Sequence, residues 1–165
     1  MVMVLLVVLG FVIWAILAQK GGVLNLGGNN QNQNQSQTRE SISGSVTVPN
    51  EGDKVPANVA PPVEVGSAGN NTVASYRSFD LNVSGGAFTP DTVIVKVGDT
   101  VHMLITASGG NYDFTQPDYG LKTALLSGKT TVVEFQAITS GKFTFYCASC
   151  GGPSKGPVGY VIVSP

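Results

Sequence analysis

The sequence predicts an all-β sandwich that follows a single N-terminal membrane anchor. The first observation is an uninterrupted apolar run from Val2 to Ala18. The second is the alternation of apolar and polar residues after Ser75, which is typical of half-buried strands. The third is a series of glycine-containing turns between those segments, with no convincing helical periodicity after the anchor. These observations divide the chain into an anchor, a linker and one small β-domain.

The N-terminal segment, residues 1–20, is predicted to be a transmembrane anchor. At a rise of about 1.5 Å per residue, its apolar run spans roughly 25 Å, at the short end of what a bilayer requires. Trp14 suits the membrane interface, and Lys20 can extend to the headgroups. The alternative is a cleaved signal peptide. It is disfavoured because no Lys or Arg precedes the run, which is also longer than an ordinary signal core.

Residues 21–74 are predicted to form a flexible tether rich in Asn, Gln, Gly and Pro. The stretch from Gly27 to Gln37 contains only Gly, Asn, Gln and Ser, so it cannot bury apolar surface. One short alternating segment, Ile42 to Val48, is expected to be a strand. The tether either lifts the domain off the membrane or lies extended over a partner, or it is a spacer without specific contacts.

Residues 75–165 are predicted to form the β-domain. About 90 residues are enough for one small hydrophobic core. Alternation marks the strands, whose expected inward positions are Phe79, Leu81 and Val83; Val93, Val95 and Val97; Val101, Met103 and Ile105; Val133 and Phe135; Phe143, Phe145 and Cys147; and Tyr160 to Val163.

A loop is predicted from Asn111 to Gly120. Asp113 and Asp118 lie in it, and we interpret them as solvated turn residues because no His or third carboxylate accompanies them for acid–base work or cation binding. Three aromatic residues in the loop are expected to form a patch that contacts another subunit. They are Tyr112, Phe114 and Tyr119.

The charge balance argues against a nucleic-acid partner. The chain has 9 Lys and Arg against 10 Asp and Glu, a net charge of −1, so it lacks a basic field. It also offers few ligands for soft or borderline metals, namely one His and two Cys. That His, His102, falls within the predicted strand Thr100 to Ile105 and is interpreted as a structural or surface residue.

Three segments of the β-domain resemble the cupredoxins. Residues 87–101 contain Phe-x-Pro before a strand that ends in Val-x-x-Gly-Asp-x-Val. The segment Gly141 to Cys147 resembles the family's penultimate strand, which delivers a Cys to the metal, and Gly156 to Val163 resembles its last strand. The resemblance implies a cupredoxin-like Greek-key β-sandwich, here behind one N-terminal transmembrane helix.

With its anchor, the chain resembles subunit II of the haem-copper terminal oxidases. In the copper-bearing form of that family, two bridging Cys, two His and one Met hold a dinuclear copper centre. Here Tyr112 falls at the earlier His position, Ser154 at the later His position and Pro157 at the Met position. Cys147 and Cys150 are one residue closer together than the bridging pair. Because Tyr, Ser and Pro are poor copper ligands, the resemblance implies a degenerate copper site without metal.

Subunits II that lack the copper centre are typical of oxidases that take electrons from quinol. The resemblance therefore implies a non-redox, non-catalytic subunit of a quinol oxidase, which binds no cofactor itself and whose partner, subunit I, holds haem and copper. It also implies a single-pass protein of the plasma membrane, with the N-terminus cytoplasmic and the β-domain on the external face. The alternatives are a membrane-tethered copper-binding electron-transfer protein and a surface adhesion protein.

Three interpretations of Cys147 and Cys150 stay open. In the first, which we prefer, the pair is vestigial, as free thiols or as a disulfide that an external location favours. In the second it belongs to a surviving metal site, although the further two ligands of a structural zinc site are not evident. In the third it performs thioredoxin-like redox chemistry, for which the usual βαβ context is missing.

Overall fold

The structure is a computed structural model that describes residues 39–42, 44–67 and 74–165. These residues belong to one compact unit, Asn34–Pro165. The predicted anchor, residues 1–20, and the Asn- and Gln-rich part of the predicted tether lie outside the described residues, so both stay predictions. Within the described ranges, no helix is long and apolar enough to cross a membrane.

The described residues form an all-β domain, as predicted. Two short 3₁₀ helices, Pro117–Tyr119 and Gly152–Ser154, interrupt the series of strands. The strands are β1 (Arg39–Glu40), β2 (Glu64–Ser67), β3 (Ser75–Ser84), β4 (Ala87–Thr89), β5 (Thr92–Lys96), β6 (Thr100–Ala107), β7 (Tyr112–Gln116), β8 (Leu121–Leu125), β9 (Thr130–Gln136), β10 (Gly141–Tyr146) and β11 (Val158–Ser164).

The strands form two sheets. One has the order β5-β11-β10-β7-β8, with β1 paired to β10 outside that path, and the other has the order β2-β3-β6-β9, with β4 paired to β3. β3 pairs with β6, and β5 with β11, in parallel, so these pairs cannot be joined by hairpins and the chain crosses between sheets. This topology confirms the cupredoxin-like Greek-key sandwich, with β10 and β11 as the penultimate and last strands.

The core lies between the sheets and is built from alternate residues of the strands. In β6, Val101, Met103 and Ile105 are fully buried, and the residues between them are half-buried. This is the period of two that the sequence predicted. Val97 is an exception among the expected inward positions, because it lies in the turn after β5 and is 42% exposed.

An aromatic cluster fills the core beneath the end of β10. Phe145 stacks on Phe114 and meets Phe88 edge-on, with ring centroids 5.0 Å apart in both pairs. Such pairs contribute about 0.5–1.5 kcal/mol each beyond their buried area. Because Phe145 precedes Cys147 by two residues, this cluster fixes the strand from which the cysteine loop starts.

Part of the predicted tether packs against the sandwich. β1 pairs with β10, β2 pairs with β3, and Ala60 is fully buried, with its N–H donating to the Thr92 carbonyl at 2.8 Å. The domain boundary predicted at Ser75 therefore differs from the structure, because backbone hydrogen bonds to the sheets fix a segment that has no core of its own. The strand predicted at Ile42–Val48 is not observed among the described residues of that range, where Val46 N–H instead donates to a serine hydroxyl of β11 at 3.3 Å.

A buried ion pair holds the same segment. Arg77 Nε donates to Asp99 Oδ2 at 2.8 Å, and Arg77 Nη1 donates to the Pro49 carbonyl at 2.8 Å. Asp99 is completely buried and also accepts the N–H groups of Ser75 and Lys96, each at 2.9 Å. A buried charge is tolerated only when it is paired and hydrogen-bonded. This network joins the β5–β6 turn, the start of β3 and the segment before β2.

The loop predicted from Asn111 to Gly120 is instead a strand, β7, followed by a 3₁₀ turn. Phe114 is fully buried in the core. Tyr119 packs on Phe135 and Phe143, with ring centroids 4.6 and 5.2 Å apart. The prediction of an aromatic patch for another subunit is therefore wrong for Phe114, whose ring belongs to the domain's own core. Tyr112 and Tyr119 are half-buried, and for them the contact with another subunit stays a prediction.

Candidate functional site

The predicted copper-site positions meet at the end of the sandwich where β10 finishes. Cys147 directly follows β10 and is fully buried, whereas Cys150 is half-buried. The two residues form a disulfide, with their Cα atoms 5.3 Å apart. The sequence left the thiol and disulfide forms open, and the structure has the disulfide.

Backbone hydrogen bonds close the loop between the disulfide and β11. Cys147 N–H donates to the Pro157 carbonyl at 3.0 Å, and Gly152 N–H donates to the Cys147 carbonyl at 3.2 Å. Gly156 N–H donates to the Gly152 carbonyl at 2.9 Å. A Cβ atom at Gly156 would lie 2.9 Å from both the Cys147 carbonyl oxygen and Cys150 Cβ, so the close approach requires glycine.

Asp113, on β7, holds the same loop from the opposite side. Its Oδ1 accepts the N–H of Ala148 and its Oδ2 the N–H of Ser149, both at 2.7 Å. Its Oδ1 also accepts the Thr115 hydroxyl at 3.0 Å, and its own N–H lies 3.5 Å from Cys147 Sγ. The interpretation of Asp113 as a solvated turn residue is therefore wrong, because its side chain is satisfied by a distant loop and the residue is only 8% exposed.

The carboxyl group of Asp113 is held in its ionised form. Burial alone raises its pKa, but hydrogen bonds from the Ser149 side chain, the Ser149 and Ala148 N–H groups and the Thr115 hydroxyl outweigh burial and lower the pKa below 3.8. A negative charge therefore stays beside the disulfide loop at neutral pH. Asp118 behaves as predicted, since it is exposed in the 3₁₀ turn, where its carboxylate accepts Gln116 Nε2–H at 3.3 Å.

The other predicted positions supply no replacement ligand set. Tyr112 is half-buried, with its hydroxyl donating to the Ser108 carbonyl at 3.4 Å; Ser154 is exposed, and Pro157 is buried. Within the part of the chain that the structure describes, no group of three or more His, Cys, Asp and Glu side chains is arranged to hold a metal. With both sulfurs bonded to each other, these residues do not fit a dinuclear copper centre. That this chain binds no metal stays a prediction.

His102 lies away from this loop, on the outer face of the other sheet. It is on β6, where its register partners are Ser78 and Glu134. Its Nδ1 lies 2.9 Å from Glu134 Oε2, and its ring packs 5.5 Å from that of Tyr76. These contacts agree with its interpretation as a structural or surface residue.

No family model matches the chain, and no curated protein matches it. Among solved structures, a copper binding protein in its apo form is 22% identical, with a TM-score of 0.47 over 64% of this chain and 95% of that one. The periplasmic domain of subunit II of cytochrome oxidase from Bradyrhizobium japonicum is 13% identical, with a TM-score of 0.46 over 52% and 82%. A chain from the structure of a heme-copper terminal oxidase dimer is 11% identical, with a TM-score of 0.47 over 99% of this chain and 95% of that one. These likenesses concern the fold.

Proposed function

We propose that this chain is a non-redox subunit II of a respiratory haem-copper quinol oxidase. The complex couples quinol oxidation to oxygen reduction and proton translocation, and this chain has a structural and assembly role without being catalytic itself. Support comes from the motifs of the β-domain, the apolar segment before it and the degenerate ligand positions. In this proposal subunit I holds the haem and copper, the N-terminus is cytoplasmic, and the β-domain lies outside the plasma membrane.

The observation that carries the proposal is the state of Cys147. In the cupredoxin family the residue after the penultimate strand delivers a thiolate to copper. Here that sulfur is buried and bonded to Cys150. A sulfur in a disulfide offers no thiolate, which is the form that binds metal. A subunit without a copper centre suits an oxidase whose electrons pass from quinol directly to subunit I.

The test is purification of the chain in mild detergent together with the proteins that accompany it. Haem and copper are quantified per complex, electron paramagnetic resonance is recorded, and oxygen uptake is measured with quinol and with reduced cytochrome c as donors. We expect a haem protein to co-purify, oxygen uptake with quinol only, and no thiolate-copper signal. The double variant Cys147→Ser/Cys150→Ser is expected to keep the quinol activity.

Two results would contradict the proposal. A thiolate-copper signal that disappears in Cys147→Ser would show that the pair binds copper and would favour the membrane-tethered electron-transfer protein. Purification without any haem protein would remove the oxidase assignment and favour the surface adhesion protein.

A further inference from the structure

We propose that Asp113 stabilises the disulfide between Cys147 and Cys150 against reduction, so that loss of its charge makes this disulfide easier to reduce to the dithiol. Asp113 acts here as a positioning residue, because it works on the sulfur pair through the loop. The proposal concerns this loop alone and does not depend on the oxidase role.

The Asp113 carboxylate hydrogen-bonds to the backbone of the ring that the disulfide closes. Ala148 and Ser149 are the two residues between the cysteines, and the carboxylate accepts the N–H of each at 2.7 Å. Hydrogen bonds to a charged acceptor are about twice as strong as neutral ones. By fixing these two residues, Asp113 holds the cysteine Cα atoms 5.3 Å apart, within the range that a disulfide requires. A reduced pair held in this way closes again readily.

The exposure of the two cysteines decides which of their sulfur atoms an external dithiol attacks when it opens the ring. Because Cys150 is half-buried and Cys147 fully buried, the external thiolate attacks Cys150 Sγ. The S–S bond breaks, its electron pair leaves on Cys147, and a mixed disulfide forms on Cys150. The second thiol of the reagent then displaces Cys150 and forms a cyclic disulfide. The reagent loses two electrons, the cysteine pair gains two, and protons from the reagent or solvent complete the two thiols.

Cys147 Sγ, which leaves when the S–S bond breaks, is subject to two opposing electrostatic effects. The Asp113 N–H lies 3.5 Å from Cys147 Sγ and favours a thiolate there. The ionised carboxylate of Asp113 opposes a second negative charge in the same buried place. Asp113→Asn keeps the shape of the side chain but removes that charge and one of its acceptor oxygens. The substitution therefore makes the thiolate easier to form and the loop easier to open.

The test measures the reduction equilibrium of the full-length chain in mild detergent. The protein is equilibrated with mixtures of reduced and oxidised dithiothreitol, quenched, and assayed for free thiols. Asp113→Asn is expected to shift the equilibrium toward the dithiol by about tenfold or more, which is about 30 mV for this two-electron couple. Thr115→Val, which removes one donor to the carboxylate, is expected to shift it in the same direction by less. Asp80→Asn, at an exposed carboxylate on β3, is the control and is expected to leave it unchanged.

An equilibrium equal to that of the unsubstituted chain in a folded Asp113→Asn variant would overturn the proposal, and so would a shift toward the disulfide. Folding is checked by circular dichroism before each titration. If Asp113→Asn does not fold, Thr115→Val decides: a shift beyond that of Asp80→Asn supports the proposal, and no shift overturns it. A merely structural role for Asp113 would lower the unfolding temperature without moving the reduction equilibrium.

Discussion

Removal of the Asp99 carboxylate is expected to destabilise the sandwich by roughly 3–5 kcal/mol, the cost of breaking a buried ion pair by deleting one partner. Arg77 is 5% exposed and Asp99 is fully buried, and their Nε and Oδ2 atoms lie 2.8 Å apart. In Asp99→Ala the Arg77 guanidinium keeps its hydrogen bond to the Pro49 carbonyl but loses its counter-charge. The N–H groups of Ser75 and Lys96 lose their acceptor as well.

The measurement is unfolding by urea and by heat, followed by circular dichroism. At about 4 °C per kcal/mol, where the ranges for domains of about 60–100 and about 150–250 residues meet, the loss lowers the unfolding temperature by roughly 12–20 °C. Asp80→Ala is the matched control, because Asp80 is an exposed carboxylate on the strand that also carries Arg77. Its effect is expected to stay within about 0.5 kcal/mol.

A double variant isolates the cause of the loss. Arg77→Met/Asp99→Ala removes the unpaired charge, so it is expected to be more stable than Asp99→Ala alone. A cost of less than about 1 kcal/mol for Asp99→Ala, as for an exposed ion pair, would refute the reasoning from burial. A double variant no more stable than the single one would refute the assignment of the loss to the unpaired guanidinium.

Two further predictions use the same unfolding measurement. Gly159→Ala is expected to cost about 1–3 kcal/mol or more, because a Cβ there would overlap the Phe145 ring. Gly66→Ala, whose nearest neighbour would be 3.8 Å away, is its control, and equal effects of the two would contradict the packing argument. The contribution of Asp113 to stability is present above pH 3.8 and is lost as the pH falls through its lowered folded-state pKa. Acid should therefore destabilise Asp113→Asn less steeply than the unsubstituted chain, and parallel curves of stability against pH would contradict this.

Alternation in the sequence predicted β3, β5, β6, β9, β10 and β11, but it missed β7 and β8. In β7 the polar residues Asp113 and Gln116 occupy buried positions, so the strand lacks a clean period of two. The two backbone N–H groups that Asp113 accepts lie 35 and 36 residues later in the chain. A polar side chain that is satisfied over such a distance leaves no local pattern. For this reason the residue that holds the cysteine loop could not be found from the sequence.

The packed part of the predicted tether was missed for a related reason. The segment between β1 and β3 has the composition of a linker, and it is held by strand pairing, by the buried Ala60 and by a carbonyl that accepts from Arg77. Backbone hydrogen bonds depend on where a sheet has a free edge, which composition does not reveal. The resemblance left the oxidation state of Cys147 and Cys150 open, and the structure has them as a disulfide.

The stability of this fold depends more on the ion pair of Arg77 and Asp99 than on the disulfide. In the chain-entropy treatment, a cross-link that closes so short a ring contributes roughly 2 kcal/mol, against roughly 3–5 kcal/mol at stake in the ion pair of Arg77 and Asp99. The aromatic cluster around Phe145 adds its own packing beneath the loop. A bound copper would tie the loop to the sandwich and carry electrons. Here the disulfide closes the loop, and the hydrogen bonds to Asp113 tie it to β7, so the chain's own residues hold the loop on the sandwich.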